Sequence, residues 1–585
     1  MKEILIEQTI IEENFKEELK CAEIVIKSLE DLGVDTVFGY TGGMILPVFD
    51  ALTKSKIKIV VNSNEQSCAF SAAGYFRSTN KVGVAIVTSG PGITNTLTAV
   101  ADAYGDSIPL IVIAGQVPKR KLGTDAFQHI DVNSVFKKAA KKVININGEE
   151  NIESIIKNSY FESQSGKPGP IVIDFPFDKQ IQKQIYNNLA VNEFEKKNLN
   201  EKTICIKDCE TFFDELKKSK RPLLYIGGGI NNETASNELK KFNAKMKIPI
   251  VSTLMGKGII SNEDDLHLGM LGMFGNPSAN IAITENDFFF AIGVRWDDRV
   301  ADKVGSFGLK AKIAYMDINP KKVAEINEDR KPFLCIQTDA TKALCKLNEY
   351  IENNKIELNI DEWREKTRKM KNSYELNWNS NSNFIQQAQA LFELNKQLKA
   401  EDIIITGVGN HQMFSAQYIS RSLPKTFINS GAFGTMGFPI PTSVGVQIAN
   451  PNKKVIVIDG DGGAKMNFGE LNTIASMNLP IKIIILNNFG DSMVRNLQDV
   501  AYNGRIATTR EKSADFEKVA QALGFSYTKK VTKKEELIMS INEMLNCEGS
   551  ALLEIITDPE EILYPKVPQG KSYSEMILGP HIKKI

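Results

Sequence analysis

The chain has 585 residues, 42% of them apolar and 24% charged, which is too much for one hydrophobic core and sets an expectation of three or four domains. Lysine plus arginine and aspartate plus glutamate number 71 each, so no basic excess speaks for nucleic acid or an anionic membrane surface. No apolar run approaches the roughly 18 residues of a membrane span, the charged N-terminus lacks the apolar core of a signal peptide, and the seven cysteines, scattered without a CxxC pair, fit a reducing cytoplasm.

In chain order, residues 21–186 alternate short apolar runs ("KIVVNS", "VGVAIVTS", "PLIVIAGQ", "PIVIDFP") with amphipathic segments. Such alternation predicts βαβ units on a parallel sheet. A polar stretch at 187–202 reads as a linker. Residues 203–351 repeat the pattern with "PLLYIGGG", "IPIVSTL", "DFFFAIGVR" and "AKIAYMDINP". The polar, helix-prone stretch that follows, to residue 383, reads as an exposed connector. Residues 384–558 carry "DIIITGVG", "KKVIVIDGDG", "IKIIILNN" and "SALLEIITD", before a tail rich in proline and glycine. The expected fold is α/β, three doubly wound parallel-sheet domains at 1–190, 200–352 and 375–560, with a C-terminal arm at 561–585. The shared alternation suggests three sheets of related type.

Ligands of such sheets lie beyond the carboxyl ends of the strands, where helix N-termini present free N–H groups. Asp461, within Gly460-Asp461-Gly462-Gly463, follows one apolar strand, and Asn487 and Asn488 follow the next. A carboxylate and a carboxamide, completed by phosphate oxygens, form an oxygen set suited to Mg²⁺. A glycine-acid turn taken alone occurs in many α/β proteins; the paired asparagines make it specific. In the middle block, Gly227-Gly228-Gly229 is a plausible dinucleotide turn, weak by itself. Arg295 and Arg299 could grip a diphosphate or carboxylate, and Asp317 and Asp339 end strands where an acid can accept ribose or adenine hydrogen bonds. Glu65, in "VVNSNEQSCAFSAAGYFR", follows a strand and opens a helix rich in small residues. Its bland reading is an acid complementing a helix dipole.

Gly-Asp-Gly, a helix, then an apolar strand ending in Asn-Asn resembles the thiamine diphosphate binding motif. Longer stretches are similar to acetolactate synthase large subunits: "FGYTGGMILPVFDAL", "TSGPGITNTLTAVADAYGDSIPLIVIAGQVP" and "GTDAFQHIDV"; "GMLGMFGNPSANIAI" and "AIGVRWDDRV"; "ITGVGNHQMFSAQY", "SGAFGTMGFPIPTSVGVQIANP" and "YPKVPQG". The resemblance spans nearly the whole chain. It implies a pyrimidine-binding domain, a central FAD-type domain and a diphosphate-binding domain, in that order. It implies Mg²⁺ on Asp461, Asn488 and the carbonyl of Gly490, with Gly462 and Gly463 close to the diphosphate. Glu65 would activate the cofactor by sharing a proton with the pyrimidine, a task suited to a carboxyl in an apolar pocket. Gln128, Phe127 and Gly42 would stand near the reacting carbon, and Lys141 at the substrate entrance, although "KKAAKK" also reads as a solvated charge run. Val408, Gly409, Asn410 and His411 would meet the diphosphate side. Gly434 and Met436 would hold the cofactor bent, and Met493 and Val494 would cover it. FAD, structural rather than redox-active, would occupy a site including Gly227, Gly228, Arg295, Asp317 and Asp339, unless that site has become an empty relic.

The family's chemistry is decarboxylation of pyruvate and transfer of the two-carbon unit to a second 2-oxo acid, which serves branched-chain amino-acid synthesis. Its partners are small-molecule 2-oxo acids. A homodimer is the minimum implied, and a homotetramer and a small regulatory subunit are both admitted. Four positions depart from the family pattern. Thr41 replaces a proline, Asn64 and Phe274 replace histidines, and Leu497 replaces a tryptophan of the acceptor pocket. Arg495 is an added charge. These leave two further readings open, the same chemistry on a keto-sugar or aldehyde acceptor, and a silent regulatory homologue.

Overall fold

Three six-stranded sheets, each parallel throughout, organise a computed structural model that describes residues 16–198, 203–301, 311–507, 512–568 and 570–585. Residues 1–15 and part of the linker at 187–202 lie outside the described residues. The first sheet is built from Thr36–Tyr40, Lys58–Val61, Gly83–Val87, Leu110–Gln116, Lys142–Asn145 and Pro170–Pro176. The third is built from Ile403–Thr406, Phe427–Ile428, Val455–Gly460, Lys482–Asn487, Tyr527–Val531 and Ala551–Ile556. Central strands such as Leu110–Gln116 and Lys482–Asn487 are buried at every position, because helices cover both faces of a parallel sheet.

The three sheets are not alike. Counted along the chain, the strands of the first and third sheets lie in the same order: second, first, third, fourth, sixth, fifth. The middle sheet, from Pro222–Ile226, Ile250–Ser252, His267–Met270, Phe288–Ile292, Lys312–Asp317 and Leu334–Gln337, runs third, second, first, fourth, fifth, sixth. That is the dinucleotide-fold order, with its switch point between Pro222–Ile226 and Phe288–Ile292.

The first and third sheets share one hydrophobic core. Helices Glu65–Thr79 and Pro439–Ala449 pack directly on each other, with Phe70 and Phe438 edge to face at 5.6 Å. A Cβ at Gly74 would strike the carbonyl of Thr442, and one at Gly445 the carbonyl of Ser71. Small residues here are what let two backbones touch.

The stretch expected as an exposed connector is partly built in. Helix Asp361–Asn372 buries Trp363, Thr367 and Met370, which share one face at helical spacing, and the Trp363 indole N–H donates to the carbonyl of Pro222 at 2.9 Å. The C-terminal arm runs back from the third domain over the middle one. Val567 N–H donates to the Met273 carbonyl at 2.8 Å, and Ile585 N–H to that of Ser373 at 2.9 Å. Among the described residues no helix is long and apolar enough to cross a membrane, and all seven cysteines are free thiols.

Candidate active site

Strand Val455–Gly460 pairs with Lys482–Asn487 so that Gly460 stands opposite Leu486. Asp461 and Asn488 therefore leave neighbouring strands at nearly the same level, and both are buried. The Asn488 amide donates to Ser492 Oγ, so its carbonyl oxygen is the atom left for a cation. Ser513 Oγ lies 3.4 Å from Asp461 Oδ2. Among the described residues no group of three His, Cys, Asp or Glu side chains gathers for a metal. The carboxylate of Asp461 and the carboxamide of Asn488 are hard oxygen donors that suit Mg²⁺.

Beside it, Gly409 (φ +149°) leads into helix Asn410–Tyr418. Asn410, 3% exposed, has neither side-chain oxygen nor nitrogen bonded. A buried amide without partners is costly, and at a helix N-terminus with free N–H groups it fits an anion such as a diphosphate. His411 Nε2 lies 3.3 Å from Asp459 Oδ1. Burial pushes the Asp459 carboxyl up, and the adjacent imidazole offsets part of this. Gly407 and Gly463 flank that carboxylate so closely that a Cβ at either would collide with it. Gly434 (φ +68°) and the half-buried Met436 occupy the loop before helix Pro439–Ala449. Helix Ser492–Ala501 starts beside Asn488, with Met493 half-buried and Val494 exposed.

At the carboxyl edge of the first sheet, Asn64 caps helix Glu65–Thr79 through a 2.8 Å bond from Ser67 N–H to its Oδ1. This is the local role of a residue that departs from the family pattern. Glu65, half-buried, accepts from Asn95 Nδ2 at 2.9 Å. Thr88 fills the space between Gly42 and Gly92, and a Cβ at Gly42 would come within 2.6 Å of it. Gln128 takes a left-handed φ of +61°, and Phe127 beside it is 86% exposed. The apolar pocket expected around Glu65 is not closed by these neighbours. Nor does Glu65 face this chain's own Met436. Arg77, near the far end of the same helix, donates to the Asn429 carbonyl at 3.2 Å, at the root of the Gly434–Met436 loop. A helix of 15 residues is about 20 Å long.

Lys141 is separated from Glu65, Phe127 and Gln128. It precedes strand Lys142–Asn145 and so lies at the amino edge of the sheet, its ammonium 2.5 Å from the carbonyls of both Glu162 and Ser165. Burial lowers its pKa to about 8. Neighbouring Lys167 feels both Lys141 and, across the domain boundary, Arg295 and Asp317. Lys141 thus stands at the opposite edge of the first sheet from Glu65.

In that crevice Gly229 N–H donates to the Gly293 carbonyl at 3.0 Å, so the turn Gly227–Gly229 meets bare backbone across the switch point. Gly228 lies beside Met255. Asp317, at a strand's carboxyl end, is half-buried, and loss of solvent around its carboxyl raises its pKa to about 6. Arg295 pairs with Asp297 at 2.5 Å. Asp339 is spent locally, capping helix Ala340–Asn353 by accepting from Lys342 N–H at 3.0 Å. The glycine cradle, the arginine and the half-buried acid fit a dinucleotide such as FAD. Arg495, read from sequence as a charge for a different acceptor, is bound instead by Glu560 and by the Pro559 carbonyl. Leu497 is 60% exposed on the same helix.

Oxygen ligands for a divalent cation at the mouth of one sheet, with a lone carboxyl at the mouth of another, are how a thiamine diphosphate enzyme divides its cofactor between domains. The chain falls into that class along its length. It matches the N-terminal TPP binding domain of thiamine pyrophosphate enzymes over residues 19–135, their central domain over 209–347 and their C-terminal TPP binding domain over 407–555. It is 37% identical over 560 residues to the acetolactate synthase isozyme 2 large subunit of Escherichia coli K12, covering 95% of this chain and 99% of that protein. To the chloroplastic acetolactate synthase of Arabidopsis thaliana it is 38% identical over 570 residues, 95% of this chain and 84% of that one. The chain belongs to the acetolactate synthase family.

Sequence reasoning passed over Asn95, Asp459 and Lys167. Asp459 carried a signal, a charge inside an otherwise apolar strand; Asn95 and Lys167 carried none, since their partners lie on other elements.

Proposed function

We propose that the protein decarboxylates pyruvate and joins the two-carbon unit to a second 2-oxo acid, forming 2-acetolactate or 2-aceto-2-hydroxybutyrate with thiamine diphosphate and Mg²⁺. The observation that carries this is the Asp461–Asn488 pair, directly after adjoining strands, in a chain similar to acetolactate synthases over 95% of its length. Thiamine diphosphate, when bound, supplies a nucleophilic carbon and an electron sink. Asp461, Asn488 and the Gly490 carbonyl would hold Mg²⁺. The free N–H groups at Gly409–His411, with the Asn410 amide, take the diphosphate. Glu65 holds or releases a proton at its carboxyl, oriented by Asn95. Met436 offers an apolar support, Met493 and Val494 a cover, and Phe127 and Gln128 line the side where substrate enters. FAD would lie in the middle crevice, on Gly227, Gly228, Arg295 and Asp317, with Asp339 beyond.

The domain limits 1–190, 200–352 and 375–560 and the arm 561–585 belong to this reading, supported by the three sheets. So does a homodimer as the working unit, supported by Glu65 standing away from its own Met436 and by the exposure of Phe127. The seven free thiols support the cytosol. Purified protein given thiamine diphosphate, Mg²⁺ and pyruvate should release CO₂ and form 2-acetolactate. Cofactor uptake without CO₂ release would sink the reading. Product analysis with 2-oxobutyrate, aldehydes and keto-sugars as second carbonyls then fixes the acceptor.

A further inference from the structure

Two segments that present site residues are each held by carboxylates from the opposite domain. Asn62 and Ser63 lead from strand Lys58–Val61 towards Glu65. Asn62 Nδ2 donates to Glu470 Oε1 at 2.6 Å, and Ser63 N–H donates to Glu470 Oε2 at 3.0 Å. Ser63 Oγ donates to the Gly469 carbonyl at 2.5 Å. Glu470 is wholly buried (0% exposed), and burial pushes its carboxyl up. Its two N–H donors offset part of the cost of placing it there.

The third domain's loop is held in the same way. Asp106 accepts from the N–H groups of Gly431 at 3.1 Å and Ala432 at 2.7 Å. Asp102 accepts from Thr435 Oγ1 at 2.9 Å and from Ser430 Oγ. Arg77 neutralises both acids at 2.9 Å. In each case the acids sit on, or directly after, a helix that follows the third strand of its sheet, and the segment held begins with Asn-Ser after the second strand of the other, Asn62-Ser63 and Asn429-Ser430. The two sheets have the same strand order, so each clamp joins equivalent positions of the two domains.

We propose that Glu470 is the positioning residue for Glu65, fixing from the third domain the backbone that presents this carboxyl to the cofactor. The inference rests on the reading of Glu65 as the activating group. Ser63 is pinned through both its N–H and its hydroxyl, and Asn64 is committed to the helix cap. Glu65 therefore starts its helix from a backbone with no slack. An apolar side chain could fill the volume of Glu470 but could not hold the Ser63 N–H.

The test is Glu470→Gln in the full protein with Mg²⁺ and thiamine diphosphate, which replaces one acceptor by a donor facing an N–H. The readouts are deuterium exchange at the cofactor's C2 position, at verified occupancy, and amide exchange of residues 58–70 without cofactor. We expect C2 exchange at least ten-fold slower, faster amide exchange across 62–65, and recovery to within three-fold of wild type when Asn62→Asp is added, because that inverts the polarity of the pair. Wild-type C2 exchange in Glu470→Gln, even at a lowered melting temperature, would overturn the proposal. If that variant does not fold, Asn62→Ser decides in the same way, slowed exchange supporting and wild-type exchange refuting. Glu65→Gln is the control. Should it exchange C2 normally, the role assigned to Glu65 fails; should it be silent while Glu470→Gln is normal, only the positioning role fails.

Discussion

Asp461 and Asn488 are brought together by strand register, so removing one should weaken ion binding without disturbing the sheet behind it. Asp461→Ala should lower Mg²⁺-dependent uptake of thiamine diphosphate by a factor on the order of 100, measured by calorimetry, with the thermal midpoint of the metal-free protein little changed. Glu65→Gln should retain cofactor binding and slow CO₂ release from pyruvate by about 100-fold or more, the range of a lost proton-transfer group. Both residues were singled out in the sequence, Asp461 by the glycines around it and the paired asparagines ending the next strand, Glu65 by the small residues after it and by the family resemblance of the surrounding stretches. Lys141, placed at the substrate entrance by the family resemblance, stands at the other edge of the first sheet from Glu65. It lies close to Gln128 along the chain, but the intervening segment crosses from the carboxyl edge of the sheet to the amino edge, and spacing alone carries no sign of that crossing.

At the scale of elements, the contact between helices Glu65–Thr79 and Pro439–Ala449 leaves no room for a side chain at Gly445. Gly445→Ala should destabilise the protein by about 1–3 kcal/mol, seen as a lower urea midpoint, and should loosen Glu65 and Met436 together, since each lies at an end of this helix pair. The arm is anchored differently. Glu561 accepts from Gln387 N–H at 2.6 Å, and burial raises its pKa from 4.5 to about 8. The folded state therefore holds the proton more tightly than the unfolded chain, and stability present at low pH is lost as pH rises from about 4.5 to about 8. Glu561→Gln should flatten this slope, measured as thermal midpoints at pH 5 and pH 8. Helix Asp361–Asn372 shows what composition conceals. Its charged residues dominate the count, yet Trp363, Thr367 and Met370 form one buried stripe. The cross-domain clamps could not be read at all, because Asn62 and Glu470 are 408 residues apart.

For the whole molecule, the question is whether Glu65 and Asp461 of one chain ever serve the same cofactor. Helix Glu65–Thr79 presents Glu65 at its amino end, whereas Arg77, towards its carboxyl end, holds the root of the loop carrying Met436. Phe127 beside the first edge and Phe433 beside the second are both exposed, 86% and 56%, as apolar surface awaiting a partner would be. Two copies related by a twofold axis would bring the first edge of each against the third-domain edge of the other, closing two equal sites. Mixing two inactive variants separates this arrangement from a site within one chain. In a mixed dimer of Glu65→Gln with Asp461→Ala, one site collects both lesions and the other neither. Refolded from an equimolar mixture, the pair should regain about a quarter of the wild-type rate, since about half the dimers are mixed and each has one sound site. If Glu65 and Asp461 of a single chain shared a cofactor, every site in the mixture would carry a lesion, and CO₂ release would stay at the level of the separate variants.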